Sequence, residues 1–101
     1  MPNSISQDTF SLLRKDFDFP EQVSGYDEEQ LITFLSKTIR QMLDRDFERL
    51  LQICYRIDLG ENKLKKILHE SEPDQIASDL AAALWHRQKQ KIELRRKYSS
   101  S

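Results

Sequence analysis

The sequence predicts an all-α protein: two long helices joined by a short one, with an N-terminal strap and a helical bundle completed by dimerisation. Three observations lead there. Two glycines and three prolines in 101 residues are too few for the turns of a strand-rich fold. Apolar side chains recur at steps of three and four from Ile32 to Ile57, the period of one helical face. The stretch "YDEEQL" carries a complete helix-start signature. Residues 1–25 read as a partly disordered segment and strap, 26–98 as the helical domain, and 99–101 as a disordered tail.

Within residues 1–25, "NSISQ" reads as disordered and "DTFSLLRK" as a short helix capped by Asp8. "DFDFPEQVSG" reads as an extended strap, because Pro20 bars a helix and biases Phe19 towards extended backbone. The same stretch offers a rival use as a linear motif, with Phe17, Phe19 and Pro20 presented to another protein.

The second element is one helix over about residues 28–57. Asp27 is its N-cap and Gln30 completes a capping box. Tyr26 and Leu31 flank the box as a hydrophobic staple, and Glu28 and Glu29 suit the positive end of the helix dipole. Ile32, Leu35, Ile39, Met42, Leu43, Phe47, Leu50, Cys54 and Ile57 make one continuous stripe.

The stretch "YRIDLGENKLKKIL" then turns a corner into a short helix over about 61–70. With Gly60 as N-cap, Leu59 and Leu64 form a second staple; Asp58 with Glu61 offers a rival capping box one step earlier. A DNA-reading helix-turn-helix is the alternative. It would use a short first helix, against about thirty residues here, and a small residue where Arg56 stands. The corner therefore reads as a joint.

The last helix covers about 73–97, with Pro73 in its first turn. Ile76, Leu80, Ala83, Leu84, Leu94 and Tyr98 line one face; Ala77, Ala81, Trp85 and Ile92 line an adjacent one. Small alanines beside Trp85 suggest a close helix approach with the indole filling the gap.

Length gives the expectation of a homodimer. A thirty-residue helix spans about 45 Å, against a diameter of roughly 30–35 Å for a compact chain of this size. Two unbroken rods carry more apolar flank than the short helix and strap can cover, and Phe34 and Tyr55 lie off the main stripe. A second copy would supply the cover. The alternative is a monomer in which Phe10, Leu13, Phe17 and Phe19 fold back to close the core. A bend in either rod would remove the ground for self-assembly. Asp46 and Arg87 both stand on apolar stripes, and pairing them would fix helix register; alternatively each lies at a stripe edge and reaches water along its stem.

Catalytic chemistry finds little support. His69 and His86 lie far apart with no ligand at metal spacing nearby, Cys54 sits on the core stripe, and there is no phosphate-binding glycine loop. The expectation is a non-enzymatic protein with no cofactor and no metal. One cysteine makes no internal disulfide. The first ten residues lack a signal-peptide pattern and no apolar run suits a membrane span, so a cytoplasmic protein is expected.

Charge is uneven along a chain of net charge −1. Residues 1–36 hold seven acids (Asp8, Asp16, Asp18, Glu21, Asp27, Glu28, Glu29) against two bases (Arg14, Lys15), net −5. Residues 86–98 hold six bases (Arg87, Lys89, Lys91, Arg95, Arg96, Lys97) against Glu93, net +5. The basic end can neutralise the acidic stretch within the chain or across a dimer, stand in water where its cations suit the helix dipole, or grip nucleic-acid phosphate.

"FERLLQICYRIDLGENKLKKIL" followed by "HRQKQKIELRRKY" resembles small bacterial all-helical proteins that share a "YRID" corner and an Arg-Gln-x-Gln-Lys helix end. The resemblance covers about residues 47–98, with Gly60 standing where another capping residue is expected, and it implies a helical fold and no site. The expected function is a helical protein–protein interaction or scaffold protein that self-associates. The alternative is a nucleic-acid-binding accessory protein using the basic last helix.

Overall fold

The computed structural model describes residues 5–17 and 25–99, and every regular element among them is helical. The elements are α1 (Ile5–Arg14), α2 (Glu28–Arg45), α3 (Phe47–Ile57), α4 (Glu61–Glu70) and α5 (Ile76–Ser99), the last preceded by a 3-10 turn, Pro73–Gln75. The chain measures 42 × 29 × 20 Å with a radius of gyration of 13.7 Å. None of the described helices is long and apolar enough to cross a membrane.

The expected rod over 28–57 is two helices. Asp46 leaves helical geometry at φ −150° and ψ 54°, and its N–H still donates to Met42 O at 2.8 Å. A straight rod of thirty residues would reach about 45 Å, beyond the longest dimension of the molecule. Bending at Asp46 lets both α2 and α3 pack on α5. Aspartate is unfavourable in a helix interior, where its side chain competes for backbone hydrogen bonds, and favoured at a helix start, where Asp46 stands. Arg45 closes α2 and Glu48 opens α3, so each new end meets the charge its dipole favours. The stripe runs on across the bend: Leu35, Ile39, Leu50, Cys54 and Ile57 are all buried, while Phe47, just past the break, is 40% exposed.

The apolar excess that led to a dimer is largely covered by the chain itself. Helix α1 begins at Ile5, three residues before the expected cap, and places Asp8 in its first turn. Its Phe10 and Leu13, with Phe17 just beyond, are buried in the common core. Phe10 meets Phe34 edge to face at 6.3 Å between ring centres, a geometry that adds about 1 kcal/mol to the burial itself. With one rod bent and the core closed by α1, the length argument for a homodimer loses its ground. Phe19 lies outside the described residues.

The corner keeps Gly60 as N-cap, at φ +101°, with Leu59 and Leu64 both buried as the staple requires. Asp58 is the surprise. It sits in the left-handed region at φ 65°, ψ 48°; its N–H donates to Tyr55 O and the N–H of Leu59 to Cys54 O, both at 3.1 Å. That is a Schellman ending with aspartate in the position glycine usually takes. In α5, Trp85 is fully buried beside Ala77 and Ala81, as expected. Leu94 and Tyr98 are not on a covered face: they are 44% and 77% exposed. Beyond Lys91, which bonds Ile57 O, Ile92 stays buried and Arg96 pairs with Asp8 of α1, while the side carrying Leu94 and Tyr98 faces water.

Candidate functional site

The basic half of α5 is the feature on which the alternative function, nucleic-acid binding, rests, and most of its cations have partners within the chain. Arg87 Nε donates to Asp58 O at 3.0 Å, its Nη2 to Asp58 Oδ2 at 3.3 Å and its Nη1 to Gln90 Oε1 at 2.9 Å. Lys89 pairs with Glu28 at 2.8 Å. Lys91 donates to Ile57 O and Arg96 to Asp8 Oδ2. Arg95 and Lys97 are exposed. The expected Asp46–Arg87 register pair does not form: Asp46 is exposed at the α2–α3 junction, and Arg87 binds the end of α3 instead.

These contacts fall into two kinds. Arg87 and Lys91 supply donors to Asp58 O and Ile57 O, carbonyls at the close of α3, where orphan acceptors and the negative dipole end both favour a cation. Lys91 enters a partly covered place to do so: burial lowers its pKa, with the neighbouring Arg87 adding to the effect and Asp58 and Asp16 opposing it. Lys89 and Arg96 instead bring the acidic N-terminal stretch onto the basic helix end, at Glu28 and Asp8. Asp16 adds a third anchor, accepting from Arg56 Nη1 at 2.9 Å through its side chain and from Arg49 Nη2 at 3.2 Å through its carbonyl.

Glu28 is the centre of the tightest polar cluster. The Asp27–Gln30 capping box forms as the sequence indicates, with both of its bonds at 2.8 Å, and this fixes Glu28 in the first turn of α2. There its carboxylate accepts from Lys89 Nζ and, at 3.2 Å, from Ser6 Oγ of α1. Lys89 is the largest cause holding the Glu28 pKa below its ordinary value; burial opposes, and the Trp85 indole and Ser6 hydroxyl add to the lowering. The indole N–H is fully buried and closes no hydrogen bond of standard geometry, so its influence on the carboxylate is that of a nearby dipole. Glu28 in turn raises the pKa of Lys89. A carboxylate held ionised beside an ammonium held charged has no proton to exchange near neutral pH. The cluster clips α1, α2 and α5 together.

Other expected residues fall as follows. Cys54 is 1% exposed and burial pushes its thiol up to about 11, so the nucleophilic thiolate is disfavoured. His69 and His86 are exposed, and among the described residues no group of three or more His, Cys, Asp or Glu side chains could hold a metal ion. Of the motif Phe17, Phe19 and Pro20, Phe17 is buried in the core, and Phe19 and Pro20 lie outside the described residues.

Sequence reasoning treated Phe47 as core and Tyr55 as a residue in need of cover; the structure puts both on the outside of α3. Phe47 (40% exposed), the half-buried Leu51 and Tyr55 (60% exposed) follow one another at four-residue steps. The outward drift of that row is the signal in the sequence, since a four-residue step advances 40° around a helix. No family model, no curated protein and no solved structure matches the chain.

Proposed function

We propose that this chain is a cytoplasmic, non-enzymatic helical protein that binds another protein through the outer face of α3. The observation that carries this reading is the row Phe47, Leu51 and Tyr55, which presents two aromatic side chains to water on a helix whose other face is fully packed. Aromatic anchors of this kind dominate binding energy at protein interfaces. The opposing reading, nucleic-acid binding by the last helix, has less to hold phosphate with. Arg87, Lys89 and Arg96 face acids of the same chain, and Lys91 faces a backbone carbonyl.

The test is affinity capture of the tagged chain from its native cell, with and without nuclease, beside a Phe47→Ser, Tyr55→Ser variant whose helical circular dichroism matches the parent. A protein that survives nuclease and is lost with the double variant supports the reading. Nucleic acid as the sole retained species, or capture unchanged by the variant, overturns it. Light scattering on the purified chain reads the remaining possibility, that the partner is a second copy: a dimer mass abolished by the same variant identifies it.

A further inference from the structure

Arg87, Lys89 and Arg96 of α5 pair with acids and Lys91 with a backbone carbonyl, whereas Arg95 sits over a notch. Arg95 is exposed on α5, Lys15 is exposed just past α1, and among the described residues neither has an ion-pair partner. Both line the same cavity of about 300 Å3 between α1 and α5. Arg96 lines it too, steadied by Asp8, and Ser11 contributes a hydroxyl. The rest of the lining is apolar, from Leu12 and from Ile92, which is 7% exposed.

The charge count selects the ligand. Three cations and one carboxylate line the notch, and that carboxylate is bound to Arg96, so two positive charges are left over. The donors are an ammonium, two guanidinium groups and a hydroxyl. A phosphate monoester carries close to two negative charges and three acceptor oxygens at neutral pH, whereas a carboxylate offers one charge and two oxygens. The volume lies at the lower limit of small-molecule sites, and an apolar floor suits a ligand with a small apolar body. The C-terminal carbonyls of α1 would repel an anion, but Leu12 O accepts from the N–H of Lys15, and Leu13 O from those of Asp16 and Phe17. We propose that this notch binds a phosphate monoester carried on a small apolar group, with Lys15 and Arg95 on the phosphate beside the Asp8-held Arg96, and Leu12 and Ile92 against the apolar part.

The test is an amide-resolved NMR titration of the full chain with phenyl phosphate, inorganic phosphate and a single-stranded DNA oligonucleotide. Phenyl phosphate is expected to shift the amides of Ser11, Leu12, Lys15, Ile92 and Arg95 saturably. Inorganic phosphate, lacking the apolar body, is expected to bind about tenfold more weakly. Lys15→Gln and Arg95→Gln, both at exposed positions, are each expected to weaken phenyl phosphate about tenfold with the remaining spectrum unchanged. A phosphotyrosine peptide that binds more tightly than phenyl phosphate places the ligand on a protein chain, and equal affinity places it on a free small molecule. The proposal is overturned by an absence of saturable shifts, by variants that bind as the parent does, by inorganic phosphate binding as tightly as phenyl phosphate, or by the oligonucleotide, whose phosphates are diesters, binding more tightly than either.

Discussion

Replacing Glu28 by Gln removes the charge at the centre of the clip while keeping its shape. The side chains of Glu28 and Lys89 are 32% and 30% exposed, so the pair is neither buried nor free in water. Solvent screening holds such a pair near the upper end of the exposed range, about 1 kcal/mol. The charge also sits in the first turn of α2, where the helix dipole adds about 0.5 kcal/mol. Together these give a loss of about 1.5 kcal/mol at neutral pH, a fall of roughly 8 °C in the melting midpoint for a domain of this size. Urea titrations followed by Trp85 fluorescence and by circular dichroism read the change. A double-mutant cycle with Lys89→Met isolates the pair and is expected to return a coupling of about 1 kcal/mol. The sign with pH is fixed. Glu28 has a folded pKa below its ordinary 4.5, so its contribution is present above 4.5 and disappears as pH falls through the lower, folded value. Lys89 has a folded pKa above 10.5, so its contribution is present below 10.5 and is lost as pH rises through the higher value. Parent and variant must therefore converge in strong acid. A coupling below about 0.2 kcal/mol, or a Glu28→Gln cost as large in strong acid as at neutral pH, would show that the clip does not form.

Four further outcomes follow from individual contacts. Asp58→Ala, which leaves a side chain in the left-handed region without its Arg87 partner, is expected to cost about 1–2 kcal/mol, whereas Asp58→Gly, which relieves the backbone, stays within about 0.5 kcal/mol of the parent; equal costs in urea titrations would refute the Schellman assignment. Trp85→Ala is expected to cost about 3–5 kcal/mol by circular dichroism melts, and Trp85→Phe much less, because the indole N–H closes no standard hydrogen bond; a similar cost for both would mean that it does. Cys54 should react with a disulfide reagent only at the rate of unfolding, given its burial and raised pKa, so rapid labelling of the native chain would contradict the packing of α3. Asp46→Leu should leave the mass by light scattering unchanged and stability within about 0.5 kcal/mol, since the side chain is exposed and makes no capping bond at the start of α3; a change of mass would revive the register role.

The parts of this fold visible in the sequence are those decided within a few residues. The Asp27–Gln30 box, the Leu59–Leu64 staple and the 3.6-residue stripes depend on neighbours in the chain; the box and the staple form as written, and the stripes are buried or half-buried except at Phe47, Leu94 and Tyr98. The bend at Asp46 was hidden because the apolar stripe continues through it, so periodicity alone cannot distinguish a straight rod from two helices that share a face. Asp58 was hidden for a different reason: glycine normally announces a left-handed ending, and here Gly60 stands two residues later and does another task, opening α4. The partners of the basic helix were beyond reach altogether. Lys89 and Glu28 are 61 residues apart, and Arg96 and Asp8 are 88 apart. The charge imbalance between the two ends showed that neutralisation within the chain was available, and only the packing of α1 and α2 on α5 decides which charges meet.

That packing also explains why the cations of α5 are distributed as they are. Apolar attraction is non-directional, so it fixes the position of a helix along its neighbour less sharply than hydrogen-bonded charges do. Arg96 binds α1, Lys89 binds the first turn of α2, and Arg87 and Lys91 bind the end of α3, so these three helices are each pinned to a position along α5. A slip of one turn, about 5.4 Å, would separate every one of these pairs in the helix that moved. It would strand partly covered charges such as Lys91, whose lowered pKa already records the cost of leaving water. The basic helix end is thus used to set register, at a modest gain in stability for each contact. Arg95 pins none of these helices, and together with Lys15 it lines the notch between α1 and α5.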